Sequence, residues 1–178
     1  MATAALKITV DEFLASLSID GIKRELLDGE IIEVPMSFAH EPHEIIKSRI
    51  LRRLFLASGD PEKFVVMAES LYRFSETVSL IPDISVLVND RPSIYAHGHM
   101  TYTPEIVVEV VSSESAERLF HKVNAYRSRG VKEVWVVLPH DAEVLIYAPT
   151  GITELRRKDT LTSPLLPGFS LPLEELFS

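Results

Sequence analysis

Ile106-Val107-Val108-Glu109-Val110-Val111 is a run of β-branched residues with one interruption, and its apolarity suits a strand covered on both faces. The acid inside it needs a reason. Side chains alternate along a strand, so Glu109 shares a face with Val107 and Val111, and an unpaired carboxylate there would cost several kcal/mol or be forced to protonate. A cation, a metal or a strong donor is expected nearby; a partly solvated face or an arginine partner would answer equally well.

The neighbouring segments give the strand its context. Pro82-Asp83 opens Ile84-Ser85-Val86-Leu87-Val88, a second buried strand, and Pro104 marks the start of the first. Residues 115–129 read as an amphipathic helix with Ala116, Leu119, Phe120, Val123 and Tyr126 on one side and Gly130 where a C-cap belongs. Residues 134–138 and 143–147 follow as strands joined through Pro139-His140-Asp141. Towards the N-terminus, residues 64–74 read as one strand. A helix led by His43 carries Ile46, Ile50, Leu54 and Ala57 at helical spacing and can end at Gly59, with Lys47, Arg49, Arg52 and Arg53 largely on its other sides. Residues 23–34 form a hairpin around Asp28-Gly29, and Thr9-Val10-Asp11-Glu12 has the spacing of a capping box that starts a first helix. This order predicts an α/β fold with a mixed central sheet flanked by helices. No repeat or linker divides the chain, so residues 1–178 are read as a single domain.

Composition narrows the function. Of 178 residues, 46% are hydrophobic and 25% charged, enough for a sizeable core, which argues against wholesale disorder. There are no cysteines, so disulfides, thiolate metal sites and thiol nucleophiles are excluded. No apolar run approaches the length of a membrane span, and the N-terminus lacks the basic-then-apolar order of a signal peptide. The chain is read as soluble and cytoplasmic. Its formal charge of −8 opposes a general electrostatic grip on nucleic acid.

Asp83 by itself is ordinary turn chemistry after proline. Paired with Glu109 on a neighbouring strand end, and with the Val110 backbone carbonyl, it would form a hard oxygen-rich pocket suited to Mg²⁺. Lys122 lies at the edge of the apolar stripe of its helix and, as a lone residue, reads as a solvated lysine. His43 lies on the stripe of Ile46 and Ile50 and so faces inward, as a capping or core histidine or as a site residue. Glu25, in Arg24-Glu25-Leu26-Leu27, alternates with apolar neighbours and is equally consistent with a solvent-facing acid or a site acid.

These residues carry a family resemblance along nearly the whole chain. Glu25-Leu-Leu-Asp-Gly-Glu30, the His43-led helix, Pro82-Asp83-Ile-Ser-Val86, Pro104-Glu-Ile-Val-Val-Glu109-Val-Val-Ser112, Lys122-Val-Asn-Ala-Tyr126, Gly130-Val-Lys-Glu-Val-Trp135 and Leu166-Pro-Gly-Phe169 occur in a telling order. The chain resembles the bacterial family classed as putative restriction endonucleases, within the PD-(D/E)xK nuclease superfamily. The resemblance implies a restriction-endonuclease-like core and hydrolysis of nucleic-acid phosphodiester bonds, with DNA the expected substrate and a homodimer in prospect. It implies that Asp83, Glu109 and the Val110 carbonyl bind Mg²⁺ (or Mn²⁺), with Glu25 and His43 supporting. Val111 stands where the superfamily's usual lysine would be; the resemblance implies Lys122 as its replacement, oriented by Tyr126. Arg118 stands where the family often has an aspartate. The alternative is a catalytically inactive member of the fold, acting as a binding or self-associating protein.

Overall fold

The computed structural model describes residues 7–17, 22–35, 41–57, 64–88, 95–96, 99–112 and 114–178. The elements in chain order are α1 (Val10–Ser16), β1 (Ile22–Leu27), β2 (Glu30–Pro35), α2 (Glu41–Ala57), β3 (Phe64–Ala68), β4 (Tyr72–Arg73), β5 (Ser79–Leu80), β6 (Ile84–Val88), β7 (Tyr95–Ala96) and β8 (His99–Met100). Then come β9 (Ile106–Val110), α3 (Ala116–Ser128), β10 (Glu133–Leu138), β11 (Glu143–Ala148), β12 (Gly151–Leu155), β13 (Thr160–Leu161), β14 (Leu171–Pro172) and α4 (Leu173–Leu176).

The central sheet has the order β12-β11-β10-β9-β6-β3. It is mixed: β9 and β10 are parallel, with Glu109 beside Val136, and the other ladders are antiparallel. A parallel pair needs a crossover, and α3 supplies it. Both faces of β9 are covered, which accounts for its apolarity outside Glu109. Ile106, Val108 and Val110 pack with Ile46, Ile50 and Leu54 of α2 and with the C-terminal residues Leu166, Phe169, Leu173 and Leu176. On the other face, Val107 packs with Val123 and Tyr126 of α3, with Leu27 and Leu80 of a second sheet and with Val78 just before β5.

That second sheet, ordered β2-β1-β5-β4-β8-β7, was not foreseen as separate. The expected strand over residues 64–74 is cut in two: β3 pairs with β6 in the central sheet, whereas β4 pairs with β5 and β8 in the second. The chain changes sheets at Glu69, whose φ of 49° breaks the extended backbone. The hairpin matches expectation, with Asp28 and Gly29 both at positive φ and Leu27 opposite Glu30. The capping box of Thr9 and Glu12 is formed at α1. The helix expected over residues 115–129 forms as α3, with Ser115 as its N-cap, but the inward stripe differs: Lys122 is buried beside Val123 and Tyr126, while Phe120 is 56% exposed. Gly59 lies outside the described residues. Among the described residues, no helix is long and apolar enough to cross a membrane.

Candidate active site

Ile84 of β6 faces Val108 of β9, so one further step along this antiparallel ladder sets Asp83 across from Glu109. The Val110 amide closes the junction by donating to Asp83 Oδ2 at 2.8 Å. Residues 81–83 also carry the chain from the second sheet into the central one. There the Ile81 amide donates to Glu25 Oε1 at 2.8 Å, which brings the β1 acid to the same place. Asp83, Glu109, Glu25 and Lys122 are all buried.

On the Glu109 side, Lys122 and Tyr126 lie one turn apart on α3 and reach the same oxygen. Tyr126 donates its hydroxyl to Glu109 Oε1 at 2.6 Å, and Lys122 Nζ lies 2.9 Å from it and 3.4 Å from Glu25 Oε2. Burial pushes Glu109 up; Lys122 opposes this, Asp83 and Glu25 add to it, and the carboxyl ends at about 7. Burial works against the Lys122 charge, but Glu109 and Glu25 outweigh it, so this lysine titrates above its ordinary value and stays charged. Burial holds the Tyr126 phenol well above its ordinary value, so it remains a proton donor. One ammonium thus serves two buried carboxylates.

Asp83 is treated differently. Burial pushes it up, but the hydrogen bond from His43, the charges of Lys23 and His43 and the Val110 amide together bring it down to about 2. His43 Nε2 donates to Asp83 Oδ2 at 3.3 Å and its Nδ1 to Glu44 Oε1 at 3.1 Å. Carboxylates accept at both ring nitrogens, so the ring carries both protons; the Asp83 bond raises its pKa against burial. A ring of contacts then returns to Asp83. Lys47 Nζ donates to Glu44 Oε1 at 2.7 Å and to Glu69 Oε1 at 2.8 Å, and the Glu69 amide donates to the Asp83 carbonyl at 3.2 Å.

Glu109, Lys122, Glu25 and Tyr126 are joined by side-chain contacts, His43 contacts Asp83, and the Val110 amide ties Asp83 to the β9 backbone next to Glu109. The contact Val110 makes here is through its N–H, on Asp83. Lys122, read alone as solvated, is buried because two carboxylates neutralise it from opposite sides. Sequence reasoning passed over four contributors. Lys23 lies 3.7 Å from Asp83 Oδ1, and its signal was the two-residue spacing that puts it on the Glu25 face of β1. Lys47 and Glu69 meet across 22 residues of chain, which no local pattern reveals. Glu114 has its pKa raised by burial, with Lys122 opposing and Glu25 and Asp83 adding.

Two carboxylates and nearby backbone oxygens are a hard donor set that fits Mg²⁺ or Mn²⁺. Burial is the largest cause of the raised Glu109 pKa, and an added cation would favour its ionised form. Among the described residues, no group of three or more His, Cys, Asp or Glu is arranged to hold a metal. A bound ion would thus rely on Asp83, Glu109, main-chain oxygen and water.

A family model described as "Uma2: Putative restriction endonuclease" matches residues 10–174. The fold is similar to a crystal structure described as "a putative nuclease belonging to DUF820" from Anabaena variabilis ATCC 29413. The TM-score is 0.82 at 22% identity, over 96% of this chain and 97% of that one. No functionally curated protein matches.

Proposed function

The chain belongs to the Uma2 family of putative restriction endonucleases, and from this premise we propose that it is a divalent-metal-dependent endonuclease hydrolysing phosphodiester bonds of nucleic acid, DNA first, in the cytoplasm. The observation that carries the reading is the pairing of Asp83 with Glu109 across the β6/β9 strand ends, beside a charged lysine. Asp83, Glu109 and the Val110 carbonyl would hold Mg²⁺ or Mn²⁺. A divalent ion supplies Lewis-acid activation of water and neutralisation of phosphoryl charge when bound.

The chain's own groups prepare that chemistry. His43 and the Val110 amide fix one oxygen of Asp83 and keep the carboxyl ionised. Tyr126 holds Glu109 in one orientation. Lys122 keeps its charge against Glu109 and Glu25, and its field stabilises negative charge developing on the phosphoryl oxygens. In the hydrolysis, water oxygen bonds to phosphorus and the P–O bond to the leaving nucleotide breaks. One water proton goes to the released hydroxyl and the other to solvent.

The test is cleavage of single- and double-stranded DNA in Mg²⁺ or Mn²⁺ by the wild type and by Asp83→Ala. The variant is expected to lose at least about a hundredfold in rate; equal rates would remove the assignment. A second reading, a catalytically silent member that binds or self-associates, draws on Val111 at the usual lysine position and on the cations already seated on both carboxylates. A rise in melting temperature with millimolar Mg²⁺ supports the enzyme, and no rise supports the silent form.

A further inference from the structure

Two lysines flank the carboxylate pair, and they differ in what they are free to do. The Lys122 side chain is 5% exposed and in contact with both Glu25 and Glu109. The Lys23 side chain is 21% exposed, and its ammonium stands 3.7 Å from Asp83 Oδ1, beyond hydrogen-bond distance. Among the described residues, its contact is this ion pair. Asp83 Oδ2 is already engaged by the Val110 amide and by His43, so Lys23 attends the other oxygen. It sits on β1 two residues from Glu25, on the same face, and is the more exposed of the two lysines.

A phosphodiester approaching this pair comes from solvent and meets Lys23 before Lys122. The other end of the β1 face offers a polyanion less. An open groove there is lined by Lys7 and Arg118 but also by Asp28, Glu30 and Glu117, so acids outnumber lysine and arginine.

We infer that Lys23 is a second catalytic lysine, whose ammonium leaves Asp83 for a non-bridging oxygen of the scissile phosphodiester and stabilises the charge that builds there during hydrolysis. The inference rests on the nuclease reading above. It assigns the two lysines different work: Lys122 acts from beneath, through the buried carboxylates, and Lys23 touches the substrate. A four-carbon stem with a free ammonium suits that exchange of partners.

The experiment compares wild type, Lys23→Met, Lys23→Arg and Asp83→Asn on single-stranded and duplex DNA oligonucleotides. Cleavage is followed in Mg²⁺. Binding is followed by fluorescence anisotropy in Ca²⁺ across a salt series, on the oligonucleotide that the wild type binds more tightly. Lys23→Met is expected to cleave about a hundredfold more slowly. Its log-log salt slope should fall by about 0.7–0.9, the loss of one phosphate contact. Lys23→Arg should restore the slope. In Lys23→Met the Mg²⁺-induced rise in melting temperature should be at least that of the wild type, because a charge that repels the ion has left Asp83. Wild-type rate and slope in Lys23→Met, with cleavage lost in Asp83→Asn, would overturn the role of Lys23 and leave the nuclease standing. A Lys23→Met protein that has lost its Mg²⁺ response would make Lys23 a structural residue and equally overturn the inference. Undiminished cleavage in Asp83→Asn, or no DNA binding by the wild type, would overturn both.

Discussion

Asp83 and Glu109 are the same kind of group, buried on adjacent strand ends, and they are driven in opposite directions. Asp83 receives a backbone N–H, an imidazolium and a nearby ammonium, and titrates at about 2. Glu109 receives a phenol and one lysine that it shares with Glu25, and titrates at about 7. Burial opposes ionisation in both, so the number of compensating charges decides the outcome. Separated titrations of this kind are how one site assigns different proton roles to two carboxylates.

The most damaging way to break the contrast is to remove the shared cation. Lys122→Met leaves Glu25 and Glu109 buried without their ammonium and is expected to cost about 3–5 kcal/mol, read by urea denaturation at pH 8. Adding Glu109→Gln should return part of that loss. A cost below about 1 kcal/mol would mean that the Glu109 side is solvated and the contrast does not exist.

A sharper test uses pH on metal-free protein. The folded pKa of Glu109 lies above its ordinary 4.5, so the folded state binds more protons there and stability falls as pH rises from 4.5 to about 7. The folded pKa of Asp83 lies below its ordinary 3.8, so its contribution is present above that value and is lost as pH falls towards 2. Glu109→Gln should therefore match the wild type near pH 4 and exceed it at pH 8 by about 2–3 kcal/mol. Urea curves at the two pH values in chelator decide it, and an unchanged pH profile would assign the fall to another group. The smallest effect is expected from Tyr126→Phe, which removes one buried hydrogen bond to Glu109 and should cost about 1–2 kcal/mol in the same assay.

Much of this region was legible in the chain. The capping box at Thr9, the turn at Asp28-Gly29 and the strand after Pro82 are local devices, and each stands where its residue types put it. Asp83 and Glu109 were visible as acids at the end of, or inside, apolar runs. What escaped were features without a period or a local signal. The strand over residues 64–74 carries no glycine or proline at the position where Glu69 turns it into another sheet. The C-terminal residues Leu161, Leu166, Phe169, Leu171, Leu173 and Leu176 lie in short pieces interrupted by Pro164, Pro167 and Pro172 rather than in one long element, yet they cover α2 and β9 as core. The lysines were misjudged in the same way: Lys122 and Lys47 read as surface residues because their carboxylate partners lie far away in sequence.

The sequence by itself determined that β9 is buried on both faces, that an acid interrupts it and that a second acid opens the neighbouring strand, since these follow from residue type and alternation. Tertiary structure alone decided which cations reach those acids, and so which carboxylate ionises readily and which lysine remains within reach of solvent. The physical reason is that Coulomb energy and desolvation depend on distances between β1, α2, β6, β9 and α3, and no spacing along the chain encodes those distances.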